Sequence, residues 1–262
     1  MTTNGSGVLD GRVVLVTGAA RGIGEAIARG MAKAGAWVGI GDLDEDMVHA
    51  TARDIGESLA VETERRPFSS RLDVSDPSQV REWIDEVVER CGQIDVLVNN
   101  AGVQLNRASV DLTDDEWQFV LGVNLTGAFT CSREAGRHML TRGRGVILNV
   151  ASIAERFGMP RRLPYCVAKA GLAAMTRVLA AEWAQQGIRV NAIAPGYVET
   201  ELVSYAFSQG HIDRAVIEAK IPMGRLAAPS VIAESAIFLA SDNSSYTTGQ
   251  VVYVDGGYSI YK

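Results

Sequence analysis

Apolar positions along the chain follow two alternating patterns. Short runs rich in Val, Ile and Leu, beginning with residues 13–16, are typical of buried strands, whereas residues 22–34 repeat their apolar positions every three or four residues and predict a helix ended by Gly35. The alternation continues along the rest of the chain. Further strands are predicted at 37–40, 66–72, 94–98, 146–150, 188–193 and 251–254, and further helices at 45–59, 77–91, 163–186 and 229–240.

Two helix starts carry specific signals. Asp76 followed by Pro77 provides an N-cap and a first-turn proline, and Thr113 with Glu116 forms a capping-box pattern that opens a long helix before the strand at 146–150. Strands and helices that alternate at these lengths predict an α/β fold with one parallel sheet covered by helices on both faces. We therefore expect a single-domain, Rossmann-type doubly wound sheet over residues 12–262, after a flexible segment at residues 1–11.

Composition limits the classes of partner. The chain has 262 residues, 47% hydrophobic content and a formal net charge of -6, which argues against a general nucleic-acid surface or an anionic membrane partner. The cysteines and histidines lack the spacing of disulfides or metal ligands, so no metal site is predicted. They are Cys91, Cys131, Cys166, His49, His138 and His211. Residues 1–11 lack the apolar core of a secretion signal, and no later run is apolar enough to span a membrane. We expect a cytoplasmic protein with a small-molecule partner.

A glycine-rich run lies between the first predicted strand and the first predicted helix. It reads Thr17-Gly18-Ala19-Ala20-Arg21-Gly22-Ile23-Gly24. Glycines here let the backbone approach a pyrophosphate, and the helix N-terminus offers free N–H groups and the positive end of its dipole. The run would also suit a plain tight turn, but its place in a βαβ unit favours a dinucleotide-binding loop. Its cofactor-binding residues would be Gly18, Arg21, Gly22, Ile23 and Gly24.

Asp42 follows Gly24 by eighteen residues, at the end of the second predicted strand. A carboxylate there can accept hydrogen bonds from an adenosine ribose and would repel a 2′-phosphate, so Asp42 predicts NAD rather than NADP. Asp42 would also suit a turn or helix cap, with Asp44 as a competing cap. Arg21 argues in the other direction, because a cation in the glycine-rich loop can help to hold a phosphate.

Tyr165 and Lys169 are four residues apart on a predicted helix, and Ser152 precedes the tyrosine by thirteen residues. On one helix face a fixed ammonium would lie beside the phenol, which makes tyrosine a usable acid or base near neutral pH. Taken alone, a tyrosine and a lysine four residues apart usually lie on a solvated helix face, and Ser152 alone would be an ordinary serine at the end of a strand. Their joint spacing behind a dinucleotide loop favours catalysis instead.

These motifs, in this order, resemble the short-chain dehydrogenase/reductase family across nearly the whole chain. The resemblance is carried by Thr17 to Gly24, Asn99-Asn100-Ala101-Gly102, Asn124, Ser152, Tyr165-x-x-x-Lys169 and Pro195-Gly196. It implies hydride transfer between a nicotinamide cofactor and an alcohol or ketone. It also implies a homotetramer assembled through the Tyr165 helix and the last helix and strand.

The resemblance implies catalytic roles for four residues. Tyr165 would accept the alcohol proton during oxidation, while the Lys169 ammonium lowers the pKa of the phenol. Ser152 would hold the substrate oxygen by a hydrogen bond, so Ser152 and Tyr165 would both bind substrate. Asn124 would position a water that links Lys169 to solvent.

The resemblance also implies cofactor contacts beyond the glycine-rich loop and Asp42. They would come from Asp73, Val74, Asn100, Ala101, Gly102, Tyr165, Lys169, Pro195, Gly196, Val198 and Thr200. Asp73 would also suit a strand-end cap, and Thr200 a cap for the helix that follows. Asn100 to Gly102 would also suit a plain turn.

The stretch between Ser152 and Tyr165 should border the substrate. Its charged and apolar members are Glu155, Arg156, Phe157, Met159, Arg161 and Arg162. This composition fits an oxygen-rich or anionic substrate better than a steroid or a long alkyl chain, although the arginines would equally suit a surface or subunit contact. Residues 200–222, which include Gly210, follow the nicotinamide segment and are expected to form a mobile lid.

The sequence thus favours an NAD-dependent oxidoreductase of a secondary alcohol, and its resemblance to polyol- and sugar-oxidising members favours a polyol or sugar-like substrate. One alternative is an NADPH-dependent reductase of 3-oxoacyl thioesters, with Arg161 and Arg162 docking an acidic carrier protein. Asp42 argues against this alternative. A third possibility is a non-catalytic nucleotide-sensing scaffold, which predicts a damaged Ser, Tyr or Lys, yet all three residues are present.

Overall fold

The computed structural model describes residues 7–59, 65–208 and 213–261, and within these ranges seven parallel strands form one sheet in the order β3-β2-β1-β4-β5-β6-β7. The strands are β1 (Val13–Thr17), β2 (Trp37–Asp42), β3 (Phe68–Arg71), β4 (Val96–Asn99), β5 (Gly145–Val150), β6 (Ile188–Pro195) and β7 (Val251–Val254). In the central register, Val14 lies opposite Val38 on one side and Val96 on the other. The predicted α/β class with a parallel sheet is confirmed.

Helices cover both faces of this sheet. They are α1 (Gly22–Lys33), α2 (Glu45–Ser58), α3 (Pro77–Cys91), α4 (Asp114–Leu121), α5 (Ala128–Arg142), α6 (Leu163–Trp183), α7 (Glu201–Ser208), α8 (Arg214–Glu218) and α9 (Pro229–Ala240). Buried side chains of α1, α2 and α9 pack against one face, and those of α3, α5 and α6 pack against the other. Strands covered on both faces need apolar side chains on both, which explains their continuous apolar runs.

The predicted helix starts follow the capping signals. Thr113 Oγ1 accepts a hydrogen bond from the Glu116 N–H at 3.2 Å, and the Glu116 carboxylate accepts one from the Thr113 N–H at 3.1 Å. Asp76 accepts one from the Ser78 N–H at 2.9 Å, so α3 begins at the predicted residue. The capping box and the N-cap therefore fix where these two helices begin.

Two regions differ from the predicted elements. The long helix expected after Thr113 is divided into α4, a π-helical segment (Gly122–Gly127) and α5. Close packing accompanies this wider turn, since a Cβ on Gly127 would lie 2.8 Å from the Val74 carbonyl oxygen. The expected lid contains two helices, α7 and α8, that its polar sequence did not reveal, while Gly210 and His211 lie outside the described residues.

The sheet order brings the motifs to one edge. The chain reverses direction across the sheet between β1 and β4, and such a switch point opens a crevice at the carboxyl ends of the strands. Thr17, Asp42, Asn99, Val150 and Pro195 are the last residues of β1, β2, β4, β5 and β6. The loops that follow them therefore meet above the same edge. No helix in the described part of the chain is long and apolar enough to cross a membrane.

Candidate active site

The glycine-rich loop between β1 and α1 packs tightly against the loop that follows β4. Gly18 has φ 63°, and a Cβ there would lie 2.6 Å from the Ala101 Cα. The Asn100 side-chain amide donates hydrogen bonds to the carbonyl oxygens of Thr17 at 3.1 Å and Gly18 at 2.7 Å. A Cβ on Gly24 would lie 2.2 Å from the Gly18 carbonyl oxygen. Gly18 and Gly24 are thus required by the packing of the loop itself, and Asn100 holds its shape.

The first turn of α1 fits a phosphate. Arg21 occupies the N-cap in an extended conformation, and its exposed side chain makes no capping hydrogen bond within the described structure. The N–H groups of Gly22, Ile23 and Gly24 therefore begin a helix that lacks a side-chain cap. Such N–H groups, at the positive end of the helix dipole, suit the pyrophosphate of a dinucleotide.

Thr200 lies opposite this loop. A Cβ built on Gly22 would have the Thr200 side chain as its nearest neighbour, with the Cγ2 atom 3.7 Å away. Thr200 Oγ1 also accepts a hydrogen bond from the Val203 N–H at 3.3 Å. Thr200 therefore faces the glycine-rich loop and caps α7 at the same time, so the two interpretations of its sequence position are compatible.

Asp42 joins the end of β2 to the glycine-rich loop. Its carboxylate oxygens accept hydrogen bonds from the Ala20 N–H at 3.0 Å and the Asp44 N–H at 3.1 Å. Asp44 is the N-cap of α2, since its side chain accepts from the Met47 N–H at 3.1 Å. The two acidic residues thus have different roles. Asp44 caps α2, whereas Asp42 presents its carboxylate beside the glycine-rich loop.

The remaining predicted cofactor residues occupy two other loops. After β3, Asp73 accepts hydrogen bonds from the Ser75 N–H at 2.9 Å and the Ser75 hydroxyl at 2.6 Å, and Val74 is buried. At the end of β6, the Gly196 N–H donates to the Val254 carbonyl oxygen at 3.0 Å. Val198 is buried and forms a parallel bridge with Ala227. Asp73 therefore has a local turn role whether or not it also contacts adenine.

Helix α6 brings Tyr165 and Lys169 together one turn apart. The Lys169 Nζ atom lies 5.6 Å from the centre of the Tyr165 ring and donates a hydrogen bond to the Val150 carbonyl oxygen at 2.7 Å. Lys169 is only 4% exposed, and burial lowers its pKa to about 8. A lysine in this position holds or releases a proton close to physiological pH.

The phenol of Tyr165 faces several polar side chains. Burial raises the pKa of Tyr165, while the side chains of Ser152 and Gln104 and the charge of Arg162 lower it. Ser152 is buried at the end of β5, where its Oγ also accepts a hydrogen bond from the Ala154 N–H at 3.1 Å. The structure therefore places a hydroxyl, a phenol and an ammonium around one point. Gln104 was missed from the sequence, although it is the second residue after the turn Asn100-Ala101-Gly102.

Asn124 lies in the π-helical segment and is buried. Its Nδ2 atom donates to the carbonyl oxygens of Val103 and Val120, both at 2.9 Å. Its Oδ1 atom is buried and has no hydrogen-bond partner among the described residues. A buried amide oxygen of this kind normally has a partner, often an ordered water. Helix turns of the π type recur at functional sites because they reorient side chains, as this one does for Asn124.

A buried network of polar side chains connects the strands and helices that carry the candidate site. Asn99 Nδ2 donates to Ser132 Oγ and Asn149 Oδ1, both at 2.8 Å, and Asn149 Nδ2 donates to Thr176 Oγ1 at 2.8 Å. These bonds connect β4 and β5 with α5 and α6, so they join the helix that carries Tyr165 to the strand that precedes Ser152. Networks whose members bond one another in this way hold a core in one arrangement.

A doubly wound parallel sheet with a glycine-rich loop at its switch point is the architecture of dinucleotide-binding enzymes. A family model described as "Enoyl-(Acyl carrier protein) reductase" matches residues 18–259. The chain belongs to the short-chain dehydrogenase/reductase family, whose members use nicotinamide cofactors. It is therefore an oxidoreductase that acts on CH–OH groups.

Similar proteins differ in their substrates. The chain is 38% identical to a 3-oxoacyl-(acyl-carrier-protein) reductase of Thermotoga maritima over 95% of this chain and 98% of that protein. It is 40% identical to a D-threitol dehydrogenase of Mycolicibacterium smegmatis over 96% of this chain and 94% of that protein. The crystal structure of a gluconate 5-dehydrogenase from Burkholderia cenocepacia, in complex with NADP and tartrate, matches with a TM-score of 0.89, 36% identity and 97% coverage of both chains.

Proposed function

We propose that this protein transfers a hydride between NAD(H) and a secondary alcohol or its ketone, with a polyol or sugar-like substrate. The observation that carries the proposal is the buried Lys169 ammonium beside the Tyr165 phenol, with Ser152 at the same point. A weak acid, a fixed cation and a hydroxyl so arranged can bind an alcohol oxygen and move its proton.

Each side chain has a step in the oxidation. Ser152 donates a hydrogen bond to the substrate oxygen and stabilises the negative charge that develops there. The Lys169 ammonium stabilises the Tyr165 phenolate, which accepts the proton of the alcohol and becomes the neutral phenol. Lys169 then passes the proton toward solvent through a water that Asn124 positions. In reduction, the same steps run in reverse. The nicotinamide, when bound, accepts the hydride in one direction and supplies it in the other.

The preference for NAD rests on Asp42. Its carboxylate is fixed by two backbone N–H groups at the end of β2, so it cannot easily turn away from a bound ribose. A 2′-phosphate at that place would meet a like charge. Arg21 and the NADP in the related gluconate 5-dehydrogenase favour the opposite preference. We give Asp42 more weight because Arg21 is exposed and makes no contact that holds it at the loop within the described structure.

The polyol preference is supported by the likeness to a D-threitol dehydrogenase and by the charged stretch between Ser152 and Tyr165. A second candidate function, reduction of a 3-oxoacyl thioester, is favoured by the likeness to the reductase of Thermotoga maritima. One assay panel separates them. Polyols, hydroxy acids and β-hydroxyacyl thioesters would each be offered with NAD and with NADP, in both directions. Turnover of acetoacetyl thioester with strong NADPH preference would contradict the proposed function.

We further propose that the protein is a homotetramer. Large apolar side chains are exposed on the outer faces of three helices, and they include Phe129 of α5, Val167 and Val178 of α6, and Phe238 of α9. Apolar side chains of this size on a helix surface are suited to helix packing between subunits. Light scattering that gave the mass of a single chain at micromolar concentration would contradict this proposal.

A further inference from the structure

The charged side chains between Ser152 and Tyr165 differ in what they contact. The Glu155 carboxylate accepts a hydrogen bond from the Tyr253 hydroxyl of β7. The Arg156 guanidinium lies over the ring of the same Tyr253, 5.8 Å from its centre. Both charged side chains therefore have a partner in Tyr253 of β7, Glu155 through a hydrogen bond and Arg156 through a cation–π contact.

Arg161 also has a structural partner. It has φ 66°, a left-handed conformation that costs a residue other than glycine roughly 1 kcal/mol or more, so the surrounding contacts must hold it. The Arg161 side chain donates from Nε to Asn106 Oδ1 at 2.9 Å, and its carbonyl oxygen accepts from the Arg107 N–H at 2.9 Å. These bonds fasten the segment after Gly102, which carries Gln104, to the start of α6.

Arg162 is the exception in this stretch. Its backbone opens α6, with its N–H donating to Met159 and its carbonyl oxygen accepting from Cys166. Its side chain is partly buried, yet it forms no hydrogen bond or ion pair with any residue of the described ranges. A guanidinium that loses part of its water without gaining an acceptor is unfavourable unless a ligand supplies one.

The charge of Arg162 acts on the candidate site from two sides. It lowers the pKa of the Tyr165 phenol, and it also lowers the pKa of the Tyr197 phenol, which burial raises. Tyr165 comes from α6, whereas Tyr197 follows β6, so the Arg162 guanidinium lies within electrostatic reach of a phenol from each of these two parts of the chain. Glu155, the acidic residue of this loop, is bonded to Tyr253 and forms no ion pair with Arg162.

We propose that Arg162 binds a carboxylate of the substrate, and that the preferred substrate is a secondary alcohol that carries this carboxylate. The inference rests on the proposed alcohol oxidation and adds the substrate class to it. Guanidinium and carboxylate groups match each other with two parallel hydrogen bonds, which fixes both the position and the orientation of the ligand. The carboxylate would thereby hold the hydroxyl-bearing carbon against Ser152 and Tyr165.

The other side chains around Tyr165 fit a small hydroxy acid. Gln104 acts on the phenol from the side of the β4 loop, and its amide can both donate to and accept from a further hydroxyl of the substrate. The rings of Tyr197 and Tyr258 lie 5.5 Å apart and those of Phe157 and Tyr258 6.2 Å apart, in edge-to-face contacts. An aromatic cluster of this kind is suited to the C–H face of a compact carbon skeleton, and Tyr197 places it within electrostatic reach of Arg162.

The decisive experiment compares each hydroxy acid with a neutral analogue of similar size. Wild type and Arg162→Gln would be assayed with cis-4-hydroxycyclohexanecarboxylate and its carboxamide, and with D-gluconate and D-glucitol. For the acids, we expect Arg162→Gln to lower kcat/KM by about 10- to 150-fold, the range for loss of a hydrogen bond to a charged group. For the neutral compounds, we expect a smaller loss, because the only effect left is that of the missing charge on the pKa of Tyr165. Arg162→Lys should restore part of the acid activity, because it keeps the charge.

Arg161→Gln is the matched control. It removes the neighbouring guanidinium, whose partner is Asn106, so it should change the rates with acid and neutral substrates by the same factor. The inference is wrong if Arg162→Gln also lowers both classes equally, or if wild type prefers the neutral member of each pair. Either result leaves the proposed alcohol oxidation intact.

A binding measurement separates this inference from the proposed reaction. Calorimetric titration of wild type and Arg162→Gln with cyclohexanecarboxylate and with cyclohexanecarboxamide requires no turnover. We expect wild type to bind the acid at least about tenfold more tightly than the amide, and the variant to lose that difference. Equal binding of acid and amide by wild type would overturn the role of Arg162. If instead no secondary alcohol is oxidised while the charge-dependent binding is present, the proposed reaction fails and the carboxylate site stands.

Discussion

The amide oxygen of Asn124 and the ammonium of Lys169 face the same gap beside the Cα of Gly102. A Cβ built on Gly102 would lie 2.7 Å from Asn124 Oδ1 and 3.7 Å from Lys169 Nζ. An acceptor and a donor around such a gap are suited to a bridging water, which needs polar partners on at least two sides. Gly102 therefore controls the space through which the proton of Lys169 would leave.

Gly102→Ala should slow turnover by blocking this gap. We expect kcat for alcohol oxidation to fall by about 10- to 100-fold, because the methyl group displaces the water and shifts Asn124. The affinity for NADH is compared separately, because Gly102 is also an expected cofactor contact. Steady-state kinetics and fluorescence titration with NADH measure the two quantities. Gly56→Ala is the control, because a Cβ there meets Pro67 at an ordinary 3.5 Å. An unchanged kcat in Gly102→Ala would rule out the relay.

The buried Lys169 should make stability depend on pH in a defined window. Its pKa is lowered to about 8 in the folded protein, whereas a lysine in an unfolded chain titrates near about 10.4. Below pH 8 both states hold the proton. Between the two values the unfolded chain holds more protons, so the burial cost of the charge is relieved and folded-state stability rises with pH.

Lys169→Met provides the comparison for this effect. From pH 7.5 to 9.5, we expect the free energy of unfolding of wild type to rise by about 1–2 kcal/mol relative to the variant. Urea unfolding of both proteins at the two pH values measures these free energies. Titrating groups distant from Lys169 contribute equally to both proteins, so their contributions cancel in the difference. A difference that stays constant or falls with pH would show that Lys169 keeps an ordinary pKa.

Tyr165 should determine the pH dependence of catalysis. Burial raises its pKa, so the phenolate needed for oxidation is scarce at neutral pH and increases as the pH rises. We expect kcat/KM for oxidation to increase from pH 6 to 9. We expect kcat/KM for reduction, which needs the phenol, to stay nearly constant over that range, because the phenol predominates below the raised pKa of Tyr165. Tyr165→Phe should lower kcat by about 10³-fold or more with little change in NADH affinity. Tyr246→Phe, at a fully exposed ring, is the control. Turnover that survives unchanged in Tyr165→Phe would remove the catalytic assignment of Tyr165.

Asp42 should determine the choice of cofactor. Asp42→Asn removes the negative charge and keeps an acceptor oxygen for only one of the Ala20 and Asp44 N–H groups, so the ratio of kcat/KM with NAD to that with NADP should fall by about 10- to 100-fold. Asp44→Asn is the control, since it changes only the cap of α2. Kinetics with both cofactors test the prediction. If Asp42→Asn left the ratio of kcat/KM with NAD to that with NADP unchanged, other residues would determine the choice of cofactor, and Arg21 would be the next residue to mutate.

The arrangement of strands and helices was largely readable from the sequence, because local patterns set it. A strand buried on both faces must be apolar throughout, and a helix begins where a side chain such as Thr113 or Asp76 can satisfy its first N–H groups. The glycine-rich loop and the spacing of Tyr165 and Lys169 could also be predicted, because each is set by a short stretch of sequence. In the helix, four residues correspond to one turn, so the lysine had to lie near the phenol.

Only the tertiary structure showed which polar groups have partners and which do not. Arg161 and Arg162 are neighbours of the same type in the sequence, yet Arg161 is bonded to Asn106 and Arg162 has no such partner in the described ranges. Gln104 and Tyr197 reach Tyr165 and Arg162 from distant loops, and the π turn that directs the Asn124 oxygen toward Lys169 leaves no periodic signal. The spacing of residues along the chain determined the glycine-rich loop and the pairing of Tyr165 with Lys169. Tertiary folding decided which distant loops meet at the candidate site, because contacts between distant segments depend on packing that no short window of sequence contains.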